Sequence, residues 1–402
     1  MMVNLISLAL PLAFATIAVA RVCQNLTVDV SITSKNGVYN ISVPETNIDV
    51  TNIMIGLSTQ SNDFSADYFV GYANVSGTYQ LASTYCEPDS GPGRVLQILT
   101  HGVGFDRSYW DFPANGYNYS YVAPVVDDHG YSTFSWDRVG IAESTRGDPI
   151  NEIQGWLEVA ALKALTDKLR AGTIPEVGST FDKIVHVGHS LGSIHTYALT
   201  AAYPDISDGI ILTGFAPNVT FITALLLGGA FVQASDYAEG YFALSYEGAM
   251  QICFFAPGHF DPAILRLAYE SSSPITVGEL FTIGGEIGQL NAFAKPAFVI
   301  AGGKSEEEKT PHGRCPPADG NSALIERDLI FCGGDCYATG IPELPSIPAA
   351  FGFLLQGATP FEAAVVNDTG HGLTLGYSHV EVTGKIQEFL SENGLANKAS
   401  CS

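Results

Sequence analysis

An α/β fold with a mostly parallel, doubly wound sheet is what this 402-residue chain predicts, and three observations predict it. Short apolar runs recur between helical stretches along most of the chain. Those runs are continuously apolar, as strands covered on both faces are. Alternation of apolar and polar residues, the mark of antiparallel strands with one wet face, is confined to the part before Gly91-Pro92-Gly93. The composition agrees: 46% hydrophobic with only 15% charged residues is a globular chain with a sizeable core. A formal net charge of −23 repels phosphate backbones and anionic lipid headgroups, which excludes nucleic acid as a partner and favours a small neutral or cationic molecule.

The elements follow in order. Met1 to Ala20 carries no charged side chain and ends Ala18-Val19-Ala20 before Arg21, which reads as a cleaved secretory signal. Residues 21–91 alternate in Thr27-Val28-Asp29-Val30-Ser31-Ile32 and hold the β-prone run Tyr68 to Tyr72, so this segment is expected to lead into the sheet as antiparallel strands. Residues 92–217 form the first part of the core, with strands expected at Val95–Leu99, Ser132–Trp136, Lys183–Val187 and Gly209–Leu212. Glu152 to Leu169 is expected to be a helix, because Ile153, Trp156, Leu157, Ala160, Ala161, Ala164 and Leu165 recur at helical spacing. Residues 218–291 break the alternation and read as a mostly helical cap rich in Phe221, Leu225, Leu226, Leu227, Phe231, Tyr237, Tyr241, Phe242 and Phe254. Residues 292–402 complete the core with strands at Ala297–Ala301 and Phe361–Val366. The apolar run Phe221 to Val232 is too short to cross a bilayer, so no stable membrane insertion is expected.

An exported chain meets oxidising conditions, so its 7 cysteines are disulfide candidates first. Cys332 and Cys336 flank Gly333-Gly334-Asp335, a turn able to close a local bridge. A zinc site from His312, Cys315, Cys332 and Cys336 is the weaker reading, because that spacing matches no common zinc motif. Asn25, Asn40, Asn74, Asn118, Asn218 and Asn367 each open an Asn-x-Ser/Thr glycosylation signal.

Chemistry concentrates at Gly188-His189-Ser190-Leu191-Gly192. A strand run precedes it and a helical stretch from Ser193 follows, the context in which a Gly-x-Ser-x-Gly serine stands on a sharp turn between small neighbours. The helix N-terminus then directs its amides at developing negative charge.

These residues make the chain resemble the α/β-hydrolase superfamily, in particular its capped, secreted fungal members, from about Tyr79 onward. His101-Gly102-Val103-Gly104-Phe105 follows the strand Val95–Leu99, where the resemblance implies an oxyanion hole from the Val103 and Leu191 amides. Trp136 to Ser144 resembles the family's Asp-x-x-Gly-x-Gly-x-Ser loop, with Ala142 in place of the second glycine, and is expected to be structural.

The family's chain order, Ser then acid then His, restricts the base to histidines after Ser190. His371 follows the last strand within Asn367-Asp368-Thr369-Gly370-His371-Gly372 and is preferred over His195, His259, His312 and His379. For the acid, Asp328 opens a stretch similar to that of the secreted fungal members, with Glu306, Glu307 and Glu308 as alternatives on position. The segment 303–325 places Asp328 farther from its strand than the family usually does. Two readings stay open: an acidic surface loop, or a retained intron. Gly303-Lys304-Ser305 and Ile325-Glu326 can encode splice donor and acceptor, and removal would take out Cys315 and leave an even number of cysteines. The transcript across codons 303 to 326 separates the two.

The resemblance implies a secreted serine hydrolase acting without a cofactor or metal on a small ester with an apolar part. A cofactor-free lyase or perhydrolase on the same triad, and a non-catalytic binding protein, are the alternatives.

Overall fold

Leu26, Val28, Val30 and Ile32 all lie on the buried face of the first strand, β1 (Arg21–Tyr39), as their alternation predicts. The computed structural model describes residues 21–59, 63–215, 220–283, 289–303 and 348–397. The signal segment, Asn218, Glu306 to Glu308, His312, Asp328, Cys332 and Cys336 lie outside the described residues.

The chain turns from β1 through two helices, α1 (Asn47–Leu57) and α2 (Phe64–Tyr68), into β2 (Phe69–Pro88). β1 and β2 form one long antiparallel pair, from Arg21 opposite Pro88 to Tyr39 opposite Phe69. The N-terminal segment is therefore a single hairpin-like pair with a helical excursion, where strands alone were expected. The excursion is set by Thr46, which caps α1 in a reciprocal box with Asp49, while Val50, Ile53 and Met54 bury one helical stripe. Cys23 and Cys86 stand directly opposite in this pair and are joined by a disulfide. Among the described residues Cys253 has no disulfide partner.

The core alternates as expected: β3 (Val95–Thr100), α3 (Val122–Asp127), β4 (Ser132–Trp136), α4 (Gly155–Arg170), β5 (Lys183–His189), α5 (Leu191–Ala202) and β6 (Gly209–Thr213). α4 starts three residues later than the periodicity suggests, because Glu152 is engaged elsewhere, accepting from the Tyr79 hydroxyl and the Asp148 amide. Leu157, Leu162, Leu165 and Leu169 are buried along one face of α4, each side chain contributing roughly 1.5–3 kcal/mol by burial.

The inserted cap comprises α6 (Thr220–Gly228), β7 (Val232–Gln233), β8 (Tyr241–Ala243), α7 (Glu247–Phe254), α8 (Pro262–Glu270), β9 (Ile275–Thr276) and α9 (Val277–Thr282). It is mostly helical, as expected, with a small antiparallel sheet in the order β7-β8-β9 as an addition. α1 packs on α6 and β7, so the N-terminal excursion becomes part of the cap. The chain closes with β10 (Ala297–Gly303), β11 (Phe361–Asn367) and α10 (His379–Glu392).

Among the described residues the main sheet has eight strands in the order β1-β2-β4-β3-β5-β6-β10-β11. β2 pairs antiparallel with β1 and β4, and every pair from β4 to β11 is parallel. One apolar layer joins β1 and α4 on one face of the sheet; the other joins α3, α10 and the cap. No described helix is long and apolar enough to cross a membrane.

Candidate active site

β5 ends and α5 begins on either side of Ser190, whose backbone stands at φ 54 and ψ −116, a conformation few non-glycine residues adopt. Two glycines make that turn sterically possible. A Cβ on Gly188 would lie 2.3 Å from the Gly192 carbonyl oxygen, and one on Gly192 would lie 2.1 Å from the carbonyl oxygen of Thr100 in β3. The turn is tied to β6, since the Ser190 amide and the Ser193 hydroxyl both donate to Thr213 O at 2.9 Å. Gly192→Ala is expected to lose more than about 3 kcal/mol in denaturant unfolding, because the methyl meets backbone that cannot yield. Gly384 in α10 has open space around it, so Gly384→Ala should instead stabilise by up to about 1 kcal/mol. Equal effects at the two sites would refute the steric account.

His371 lies four residues beyond β11, and its Nε2 is 2.8 Å from Ser190 Oγ. The loop that carries it is fixed from two sides: Thr369 N donates to Gly303 O of β10, and Gly372 N donates to Phe254 O at the end of α7. Burial pushes the His371 imidazole down to about 4, so it is neutral at pH 7 and offers Nε2 as an acceptor for the Ser190 proton. Of the other histidines weighed, His195 turns away from Ser190, its Nε2 3.2 Å from Glu158 Oε2. His379 stands at the start of α10 against Tyr119.

Aromatic rings enclose the pair. Phe254 stacks on His371 with ring centroids 5.8 Å apart, and Phe105 meets Phe254 edge to face at 4.8 Å. Tyr109 stacks on His189 at 4.4 Å, and His189 lies 5.1 Å from His371. Burial, with the neighbouring His371 second, holds His189 neutral by depressing its pKa well below the ordinary histidine value. Ser190 itself is only 6% exposed beneath this lining.

The loop after β3 lies against the serine: a Cβ on Gly102 would come within 2.9 Å of Ser190 Cβ. Val103 follows on that loop, and Leu191 is the first residue of α5, so both amides belong to segments flanking Ser190. The loop after β4 is held by hydrogen bonds to Asp137. Asp137 accepts from the Arg107 and Glu143 amides, and Ala142 takes φ 47 where the resembled motif has glycine.

A mostly parallel sheet with an antiparallel second strand, a crossed β4-β3-β5 order, and a serine elbow between β5 and α5 together decide the architecture. This is the α/β-hydrolase fold. No known family description and no curated protein matches the chain. Solved structures similar to this chain include an esterase from Thermogutta terrifontis with malate bound, 16% identical over 79% of this chain and 94% of that one, TM-score 0.48. An α/β-hydrolase-fold protein from Chitinophaga pinensis is 15% identical over 78% and 94% of the two chains, TM-score 0.46. The enol-lactonase from Burkholderia xenovorans LB400 is 14% identical over 78% and 97%, TM-score 0.45.

The sequence reading missed one group beside this site. Arg138, Glu158 and Glu279 form a fully buried charged cluster with neutral His195 beside it, joining the β4 loop, α4, α9 and α5. Two signals could have found it: Glu158 falls inside the apolar stripe of α4, and Thr276 with Glu279 has capping-box spacing.

Proposed function

We propose that this chain is a serine hydrolase acting on carboxylic esters. The observation that carries the reading is the Ser190 hydroxyl, raised on a strained turn and hydrogen-bonded at 2.8 Å to a neutral imidazole. In this reading Ser190 attacks the ester carbonyl as His371 takes its proton. The Val103 and Leu191 amides hold the oxyanion, and His371 returns the proton to the leaving alcohol. Water then repeats the sequence on the acyl-enzyme. Asp328 is the proposed acid that orients His371. The reaction class requires no metal or cofactor, and labelling of Ser190 by a fluorophosphonate tests it.

Phe105, Tyr109 and Phe254 around the Ser190–His371 pair support an apolar acyl or alcohol group in the substrate. Across a p-nitrophenyl ester series, kcat/KM should rise from acetate toward longer acyl chains. Preference for acetate over every longer ester would remove the apolar-substrate claim.

Export belongs to the same proposal. It is supported by the Cys23–Cys86 disulfide and by the exposure of Asn25, Asn40, Asn74, Asn118 and Asn367, all in glycosylation signals. An endoglycosidase that leaves the mass of the protein from its native host unchanged would count against it.

A further inference from the structure

The Arg138 side chain is fully buried between two carboxylates on different parts of the fold. Its Nη1 is 2.7 Å from Glu158 Oε1 on core helix α4 and also bonds Glu279 Oε1 on cap helix α9. A buried charge costs much unless it is paired, and here the pairing falls on Nη1, since Arg138 Nε and Nη2 have no hydrogen-bond partner among the described residues. Glu279 Oε2 is occupied by the Thr276 amide at 2.8 Å, and Glu158 Oε2 faces His195 Nε2 at 3.2 Å.

The backbone of the same arginine reaches the other way. Arg138 N–H donates to His101 Nε2 at 3.1 Å, which leaves Nδ1 as the protonated nitrogen, and Nδ1 lies 2.9 Å from Gly102 O. The carbonyl and amide of a trans peptide point in opposite directions, so holding Gly102 O toward His101 directs Val103 N–H away from it. That peptide is the one pressed against Ser190 through Gly102.

We infer that Glu279 and Arg138 are positioning residues that couple the seating of the cap to the oxyanion hole. α9 fixes the Arg138 guanidinium, Arg138 fixes His101 and its tautomer, and His101 sets the direction of the Val103 amide. The donor is then aimed only while the cap is docked on the core. The inference rests on the serine-hydrolase reading of Ser190.

Glu279→Gln keeps the shape and an acceptor toward Arg138 while removing the charge. His101→Gln keeps an acceptor for the Arg138 N–H but replaces the rigid ring with a flexible amide, so the donor to Gly102 O is no longer held in one direction. With active sites counted by phosphonate titration, kcat per site should fall about tenfold in Glu279→Gln and about a hundredfold in His101→Gln. KM should stay within about twofold of wild type, because the interaction belongs to the transition state. The rate of phosphonylation should fall by the same factors, since the phosphonyl oxygen occupies the same hole, while the acid limb of the pH profile, set by His371, stays in place. Wild-type turnover per titrated site in whichever variant folds, with only a lowered Tm, would overturn the coupling and leave the cluster a structural one. A wild-type protein that neither hydrolyses esters nor reacts with the phosphonate would refute the hydrolase reading instead, so the two failures are distinguishable.

Discussion

Ser190→Ala is expected to give a folded protein that no longer reacts with a fluorophosphonate and hydrolyses esters at least about 10⁴-fold more slowly. The fold should survive because the substitution removes only the hydroxyl. Alanine at φ 54 and ψ −116 carries the same backbone strain as serine, and Gly188, Gly192 and the bonds to Thr213 O that hold the turn are untouched. Rate is lost because His371, held neutral by burial, then has no proton to take and the substrate carbonyl no nucleophile to meet. Asp328→Asn should follow it at on the order of 10³–10⁴-fold, because an amide in that place favours the wrong imidazole tautomer. Undiminished phosphonate labelling of Ser190→Ala would remove Ser190 as the nucleophile. Near-normal activity of Asp328→Asn would move the acid to Glu306 or its neighbours.

Acid should unfold this protein well before its surface carboxylates are all protonated. His101, His186, His189 and His195 are fully buried, and burial pushes each below the ordinary histidine value, His186 to about 3. The folded state keeps these rings neutral, whereas the unfolded chain protonates them near 6.5. Below pH 6.5 the unfolded state therefore binds more protons, and each histidine removes up to about 1.4 kcal/mol of stability per pH unit. Asp137 acts in the opposite sense: burial raises its carboxyl to about 6, so the folded state gains stability there as pH falls from 6 toward 4. One such group offsets about one histidine, and the histidines prevail. The midpoint of thermal unfolding should drop on the order of ten degrees between pH 6.5 and pH 4.5. His186→Gln should flatten that slope by about 1.4 kcal/mol per pH unit, because glutamine can still meet the hydroxyls of Thr166 or Ser207 without titrating. A midpoint that does not move between pH 6.5 and 5 would reject the account.

Much of this is legible in the sequence alone. The six core strands fall where short apolar runs bounded by turn residues place them, each extended by at most two residues; β3, β4, β5, β6 and β10 are buried on both faces, and β11, at the sheet edge, is half-buried. Ser190 was legible because its turn demands glycine at both flanks, a local steric requirement written directly in the chain. His371 needed the fold's chain order as well, since a histidine in a loop carries no local signature. The N-terminal segment was read only in part: alternation gave β1 and the β-prone run Tyr68 to Tyr72 gave the start of β2, but the helices between the strands depend on the Thr46 cap and on packing against the cap.

What tertiary structure alone decided is which distant side chains meet. Ser190 and His371 are 181 positions apart and bond at 2.8 Å because β5 and β11 belong to the same parallel sheet and deliver their following loops to one edge. Arg138 and Glu279 are 141 positions apart and are paired only by the docking of the cap. In a sequence both would pass as ordinary surface charges. Burial makes them a cluster, because a charge withdrawn from water must find its partner within the protein, and no local pattern of residues states who that partner is.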